Sequence, residues 1–305
     1  MMILKYLFYY FIFPGFLFAS IAGMMAGWVD RKVTARIQYR VGPPWYQNFA
    51  DIVKLFGKEI ITPAGKNIVF LVSPFLGLIA VSLVASLLGD ALFNKELEFT
   101  GDLIVVMYLL TIPAISLIIG ASSSSNPLAS VGASREMKMV LAYELPFILA
   151  IAIVIIKTSS LRISDIISYQ ASFGSLSRNL SGIIGLLVMA ICIQAKLGFV
   201  PFDAAEAEQE IMSGTLIEYS GLPLAIFRLT RFILLYTLPI FLIILFLTGS
   251  LSLFWLIIKY VLILVLIILI KNTNPRLRID QAIGFFWRIL TPLAILGVVL
   301  AFLGK

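Results

Sequence analysis

The sequence predicts an all-α integral membrane protein, with about eight transmembrane helices and one amphipathic helix at the cytoplasmic surface. Three observations carry that prediction. Of 305 residues, 61% are hydrophobic and 13% are charged, against about 25% charged in soluble domains, so a water-facing surface cannot be built. Apolar runs of roughly 17 to 25 residues, the length that crosses a bilayer as a helix, recur from end to end. The net charge of +7 falls in short segments between those runs, as topogenic charge does, rather than on a nucleic-acid-binding surface.

The first span is placed at 3–28. No small-residue cleavage site follows it, so it is read as a retained helix and not a signal peptide. The other spans are placed at 68–93, 102–121, 137–157, 180–200, 223–248, 251–271 and 282–303. Residues 1–305 form a single membrane domain, with loops at about 29–67, 122–136, 201–222 and 272–281. Those loops and the span ends beside them hold most of the 23 Lys and Arg. The positive-inside rule puts them in the cytoplasm, and an even number of spans puts both termini outside. Within the long first loop, Phe49, Ile52, Val53 and Phe56 recur at i, i+3, i+4 and i+7, which marks one face of a helix. Gln47–Glu59 is therefore expected to lie on the membrane surface or under a partner, with Asp51, Lys54 and Lys58 largely opposite the apolar face.

Two scarcities limit the chemistry. The chain has no histidine and a single cysteine, Cys192. Iron–sulfur clusters, haem and typical zinc sites draw on Cys and His, so no such centre is expected within this chain, and an internal disulfide is impossible. Any proton path must use carboxylates, Lys, Arg, Tyr, hydroxyls and water.

Three segments have the composition for such a path. PFDAAEAEQEIMSGTLIEYSG, from Pro201 to Gly221, carries Asp203, Glu206, Glu208, Glu210 and Glu218. On a helix, Asp203, Glu206 and Glu210 would lie within about 60° of one another, with Glu208 pointing elsewhere. Like charges at that spacing repel and favour proton uptake or sharing. Few basic residues lie inside the segment, so partner cations or protonation are expected to neutralise it. Glu144 sits deep in the fourth span, where ionisable groups usually mark ion paths. Lys196, near the end of the fifth span, reads equally as a snorkelling lysine. In DRKVTARIQYRVGPP, Arg36 and Arg40 are spaced for one helical face before a Gly-Pro-Pro break, which suits either membrane anchoring or docking of an acidic partner.

At these residues the sequence resembles a known family: the membrane subunit called H in respiratory complex I, and its counterparts in energy-converting membrane-bound NiFe hydrogenases and sulfur-reducing complexes. The resemblance runs nearly end to end. It rests on Asp30–Pro43, Ala50–Glu59, Asn126–Tyr143, the PFD…AEAE…EYSG segment and Arg276–Gln281. It implies a prokaryotic cell membrane and a cytoplasmic face that meets soluble iron–sulfur subunits and a large hydrogenase-like catalytic subunit. Iron–sulfur clusters and NiFe would then belong to those partners, and antiporter-like subunits would lie alongside in the bilayer. It further implies a hydrophilic path through Glu144, Asp203, Glu206, Glu208, Glu210 and Glu218, and a partner surface at Arg36, Arg40, Asp51, Lys54 and Glu59. The AKLGFVPFD stretch, Ala195–Asp203, lacks the Asn-Arg pair that complex I versions place near their quinone tunnel, and this favours the hydrogenase-type branch. The alternatives are the quinone-tunnel subunit of complex I and an autonomous ion transporter; the absence of a visible internal repeat speaks against the transporter.

Overall fold

The computed structural model describes residues 2–63, 68–93, 99–249 and 252–304, without the side chains of 2–5, 208 and 209. Lys66 falls outside the described residues, as does the Glu208 side chain. Every regular element among them is helical. Seven helical stretches are long and apolar enough to cross a membrane. An eighth, Leu180–Lys196, is apolar but has 17 residues, about 25 Å of helix against a hydrocarbon layer of about 30 Å.

In chain order the helices are α1 (Met2–Phe11), α2 (Phe16–Ile37), α3 (Gln47–Phe56), α4 (Ile68–Phe93), α5 (Asp102–Leu109), α6 (Ile112–Ser122), α7 (Pro127–Thr158), α8 (Ile163–Phe173), α9 (Leu180–Lys196), α10 (Glu208–Ile211), α11 (Gly221–Phe246), α12 (Leu253–Thr273), α13 (Ile279–Phe285) and α14 (Thr291–Phe302). A π-helical turn, Phe286–Leu290, joins the last two. Helix α11 is the central post: nearly all of its second half is buried, and it packs against α2, α4, α9 and α12. Helices α7, α9 and α14 form the second group, with Tyr143, Phe147, Val188, Phe241 and Phe286 in the shared core.

Hydrogen bonds and ion pairs sort the loops into two ends. At one end, Lys271 meets Asp30, Arg276 meets Asp203, and Arg135 meets Glu210. At the other, Asp102 accepts from the Ile163 N–H, while Gln170 binds the carbonyls of Ile244 and Leu245 and accepts from the Thr248 N–H. This alternation matches the expected order of spans.

Several boundaries differ from expectation. Helix α2 continues to Ile37, so Asp30, Arg31, Lys32 and Arg36 are helical and not in a loop. Tyr39 has φ +58°, so Arg40 lies past the helix and does not share a helical face with Arg36. Helix α7 begins at Pro127, ten residues earlier than expected, capped by the Asn126 side chain on the Leu128 N–H. Proline at the first helical position suits this start. Helix α8 lies outside all the expected elements, although Ile163, Ile166, Ile167 and Gln170 follow helical spacing and are buried. On α3 the buried stripe is Asn48, Ile52 and Leu55. Val53 is 67% and Phe56 52% exposed, so the expected apolar face is only partly the one that packs. Asn48 explains the rotation: its side chain donates to the Met24 carbonyl at 2.7 Å, turning that edge of α3 towards α2.

The 201–220 segment is held against the bundle by close backbone approach. A Cβ on Gly132 would lie 2.8 Å from the Thr215 nitrogen and about as close to Gly214, so α7 and the segment touch main chain to main chain. Tyr219 stacks on Phe70, with ring centres 4.0 Å apart, and its hydroxyl donates to the Phe70 carbonyl. Burial pushes the Tyr219 phenol up to about 12, with the Ser73 hydrogen bond drawing it back, so it remains a donor. Gly132→Leu should force the segment away and cost about 1–3 kcal/mol, the range for overpacked sites. A lowered thermal unfolding midpoint in detergent, larger than that of the surface change Ser134→Leu, is the expected outcome.

Candidate functional site

The site lies where α7, the end of α9, the 201–220 segment and the start of α11 converge. Helix α9 stops at Lys196, four residues before the expected end of its span, and the chain turns through Gly198 at φ +60°. The early stop keeps Lys196 inside the bundle. Its side chain is 3% exposed and its Nζ lies 2.8 Å from Glu144 Oε2 on α7. The ammonium also sits over the rings of Phe147, at 4.3 Å, and Tyr143, at 5.1 Å, a favourable placement for a cation. The snorkelling reading of Lys196 is therefore wrong: Glu144 and two aromatic faces give the charge a better partner than the interface.

The acidic segment is not the helix assumed from its spacing. Residues 201–207 are irregular, and the segment has only two short helical turns, Glu208–Ile211 and the 3-10 turn Gly214–Leu216. Asp203, Glu206 and Glu210 consequently leave in different directions, each to its own arginine. Asp203 pairs with Arg276 at 2.8 Å, Glu206 with Arg231 of α11 at 2.7 Å, and Glu210 with Arg135 of α7. The expectation that partner cations or protonation would neutralise the segment is corrected here. For Asp203, Glu206 and Glu210 the cations come from this chain, but from positions remote in sequence. Glu218 accepts from Asn126 Nδ2, the residue that caps α7. Helix α10 contains Glu208, whose side chain lies outside the described residues.

Asp203 lies outside the membrane-spanning helices. Burial raises its carboxyl above the ordinary range, and the Arg276 charge draws it only part of the way back. Arg231 also donates to the carbonyls of Leu197 and Gly198. A guanidinium thus stands against the turn whose sequence, AKLGFVPFD, contains no arginine.

A cavity of about 80 Å³ opens at the centre, lined by Glu136, Lys196, Asp203, Glu206, Arg228 and Arg231 among others. That exceeds several times the 10–15 Å³ a water needs, and the lining supplies the polar partners a water requires. A second cavity of about 260 Å³ lies between α2, α3 and α11, with Asp30, Arg31, Asp51 and Phe199 in its wall. Arg228 and Arg231 line both. Among the described residues, no three His, Cys, Asp or Glu side chains gather as a metal site.

The partner-surface residues form a separate zone. Arg36, Arg40, Lys54 and Glu59 are exposed. Asp51 is not free: Arg31 reaches it at 2.9 Å and Gln47 at 2.8 Å. Burial alone would raise the Asp51 carboxyl, but these hydrogen bonds and the Arg31 charge outweigh it and hold it below the ordinary value. The two zones meet where the Ser220 hydroxyl accepts from the Ile61 N–H and donates to the Glu59 carbonyl. Sequence reasoning missed Glu136, and it read Arg135, Arg231 and Arg276 only as positive-inside charge or family pattern. The spacing of Glu136, Tyr143 and Glu144 on one long helix was the available signal for the first. No local signal predicts pairings across 75 residues, as for Arg135 and Glu210.

If Arg276 is what restrains Asp203, Arg276→Ala should move that carboxyl further up. An infrared titration of its protonated C=O band, identified by its loss in Asp203→Asn, should show a higher midpoint.

Comparison with known proteins gives a consistent picture. A family model described as NADH dehydrogenase matches residues 10–302. The NADH-quinone oxidoreductase H subunit of Thermomicrobium roseum is 33% identical over 306 residues, covering 90% of each chain. The corresponding H subunit of Brevibacillus brevis is 29% identical over 291 residues, covering 89% of this chain and 85% of its own. Among solved structures, a chain of the membrane-bound sulfane sulfur reductase, an archaeal respiratory membrane complex, superposes with a TM-score of 0.87 at 31% identity. That match covers 94% of this chain and 96% of the other.

Proposed function

Since the chain belongs to the NADH dehydrogenase family, we propose that it is the membrane-anchor and ion-coupling subunit of an energy-converting oxidoreductase complex, of membrane-bound hydrogenase or sulfur-reducing type. In this reading the Arg36, Arg40, Lys54 and Glu59 end faces the cytoplasm of a prokaryotic cell, and both termini lie outside. Soluble subunits carrying the iron–sulfur clusters, and a large hydrogenase-like subunit, dock there. Antiporter-like subunits lie alongside in the bilayer. The electron chemistry belongs to the partners, and this chain supplies a path for H⁺ or Na⁺.

One observation supports this reading above the others: a graded series of carboxylate–cation pairs. Glu210–Arg135 is exposed, with the carboxylate 57% accessible. The Asp203 and Glu206 carboxylates, paired with Arg276 and Arg231, are more enclosed and line the cavity. Glu144–Lys196 is inside the bundle. A purely structural charge network has no need to run from solvent into a membrane core, where each unpaired ion costs several kcal/mol. Partner chemistry near one end of the series, such as a change of charge on a reduced centre, shifts the balance of the nearest pair, and the shift passes inward through neighbouring pairs.

A quinone-binding role is the second reading. It is favoured by the relatives named as quinone oxidoreductases and by the 260 Å³ cavity with Arg228, Arg231 and Asp51 in its wall. Inhibition of the purified complex by quinone-site inhibitors would select it. Unchanged turnover would select the hydrogenase or sulfur-reducing type.

Glu144→Gln and Glu206→Gln, each in the assembled complex in sealed vesicles, should lower ions moved per electron by about tenfold or more, on the scale of a lost acid–base group. Removing one member of a buried pair costs about 3–5 kcal/mol, whereas replacing both by apolar groups is often neutral. Glu144→Gln with Lys196→Met therefore provides an assembled variant if the single change does not assemble. Wild-type ion ratios in these variants would sink the proposed path. For sidedness, cysteines at Lys58 and Arg278 should react with an impermeant reagent only from the cytoplasm, and one at Ser172 only from outside.

A further inference from the structure

Asp203, Glu206, Glu210 and Glu144 each have a cation of their own, and Glu218 has the Asn126 amide. Glu136 has neither. It lies on α7, about two helical turns before Glu144, and its side chain lines the central cavity with Lys196, Asp203, Glu206 and Arg231. Among the described residues it makes no ion pair and no hydrogen bond. It stands within the electrostatic reach of Glu206, Arg231 and Lys196, and those two cations respond to it in turn. Tyr143, two turns on, is near both Glu136 and Glu144. Glu136 is thus placed between the Glu206–Arg231 pair and the Glu144–Lys196 pair and belongs to neither.

We propose that Glu136 is the proton-carrying link between these two pairs, working through water held in the cavity. The inference rests on the ion-path reading above and assigns its missing step. A carboxylate bound to its own cation cannot take up a proton without breaking that pair. An acid with no cation of its own can change charge while both neighbouring pairs stay formed. In the inward step an O–H bond of a protonated water on the Glu206 side of the cavity breaks and one forms at Glu136. Glu136 then gives its proton to water on the Lys196 side of the cavity, towards the Glu144–Lys196 pair, and returns to carboxylate. No electrons move and the total charge of the site is unchanged. Lys196 and Arg231 line the same cavity, so both charges face Glu136 while their own pairs stay formed.

The test compares Glu136→Gln, Glu136→Asp and Glu144→Gln in the assembled complex in sealed vesicles, reading protons moved per electron and the pH profile of transport. Glu136→Gln is expected to lower the ratio by about tenfold or more. Glu136→Asp should retain most of it with a displaced pH profile, since the acid is kept but its reach and surroundings change. A wild-type ratio in Glu136→Gln beside a collapsed ratio in Glu144→Gln overturns the link and leaves the path standing. Wild-type ratios in both remove the path and the link with it. A loss in Glu136→Gln that Glu136→Asp does not repair, or that comes with failed assembly, marks a packing role and also overturns the link.

Discussion

An ionised side chain in a hydrocarbon layer must meet a counter-charge or give up its own charge, because water is not there to screen it. That constraint organises this molecule more than any single hydrophobic contact does. Helix α9 stops short so that Lys196 can reach Glu144. The chain from 201 to 207 abandons regular structure so that Asp203 and Glu206 can each turn to a separate arginine. Helix α7 extends past the expected membrane boundary and carries Arg135 out to Glu210. In the first two cases backbone regularity yields to the pairing of charge, and in the third a longer helix serves it.

The apolar packing supplies the frame in which those pairings are selective. Helix α11 is buried along most of its length and sets the position of Arg231. Phe147 and Tyr143 hold the Lys196 ammonium over their faces and also form part of the core between α7 and its neighbours. The cavity is what remains between these rigid surfaces. Its polar lining and small volume allow water to connect the pairs without opening the bundle.

The fold is largely legible in the sequence because membrane spans are written in long local runs of apolar residues, and local runs are what a sequence shows. Where legibility ends, the cause is physical. The first loop is shorter than expected because α2 carries charged residues on a helical turn beyond the apolar run. The packing face of α3 departs from the apolar one because a polar residue, Asn48, is buried by its bond to Met24, against the rule that apolar residues lead. At the site, the acids are visible as an unusual cluster, and Glu144 as a charge in an apolar span. Their cations are not, since Arg276 lies 73 positions beyond Asp203 and nothing near either residue announces the other. Counting charge within the segment therefore suggests an unneutralised cluster, when three-dimensional proximity gives Asp203, Glu206 and Glu210 an arginine each.

The long sequence separations within these pairs also bear on how the protein is made. Lys271 follows Asp30 by 241 residues, and Lys196 follows Glu144 by 52. At roughly 5–20 residues per second of synthesis, Asp30 precedes its partner by about 10–50 s and Glu144 by about 3–10 s. Asp30 can spend that interval at the water-facing end of α2. Glu144 has no such water-facing end, so its carboxyl waits for a counter-charge until α9 arrives with its lysine. The ion pair inside the bundle can therefore close only after α9 has been made, so its formation follows the order of synthesis.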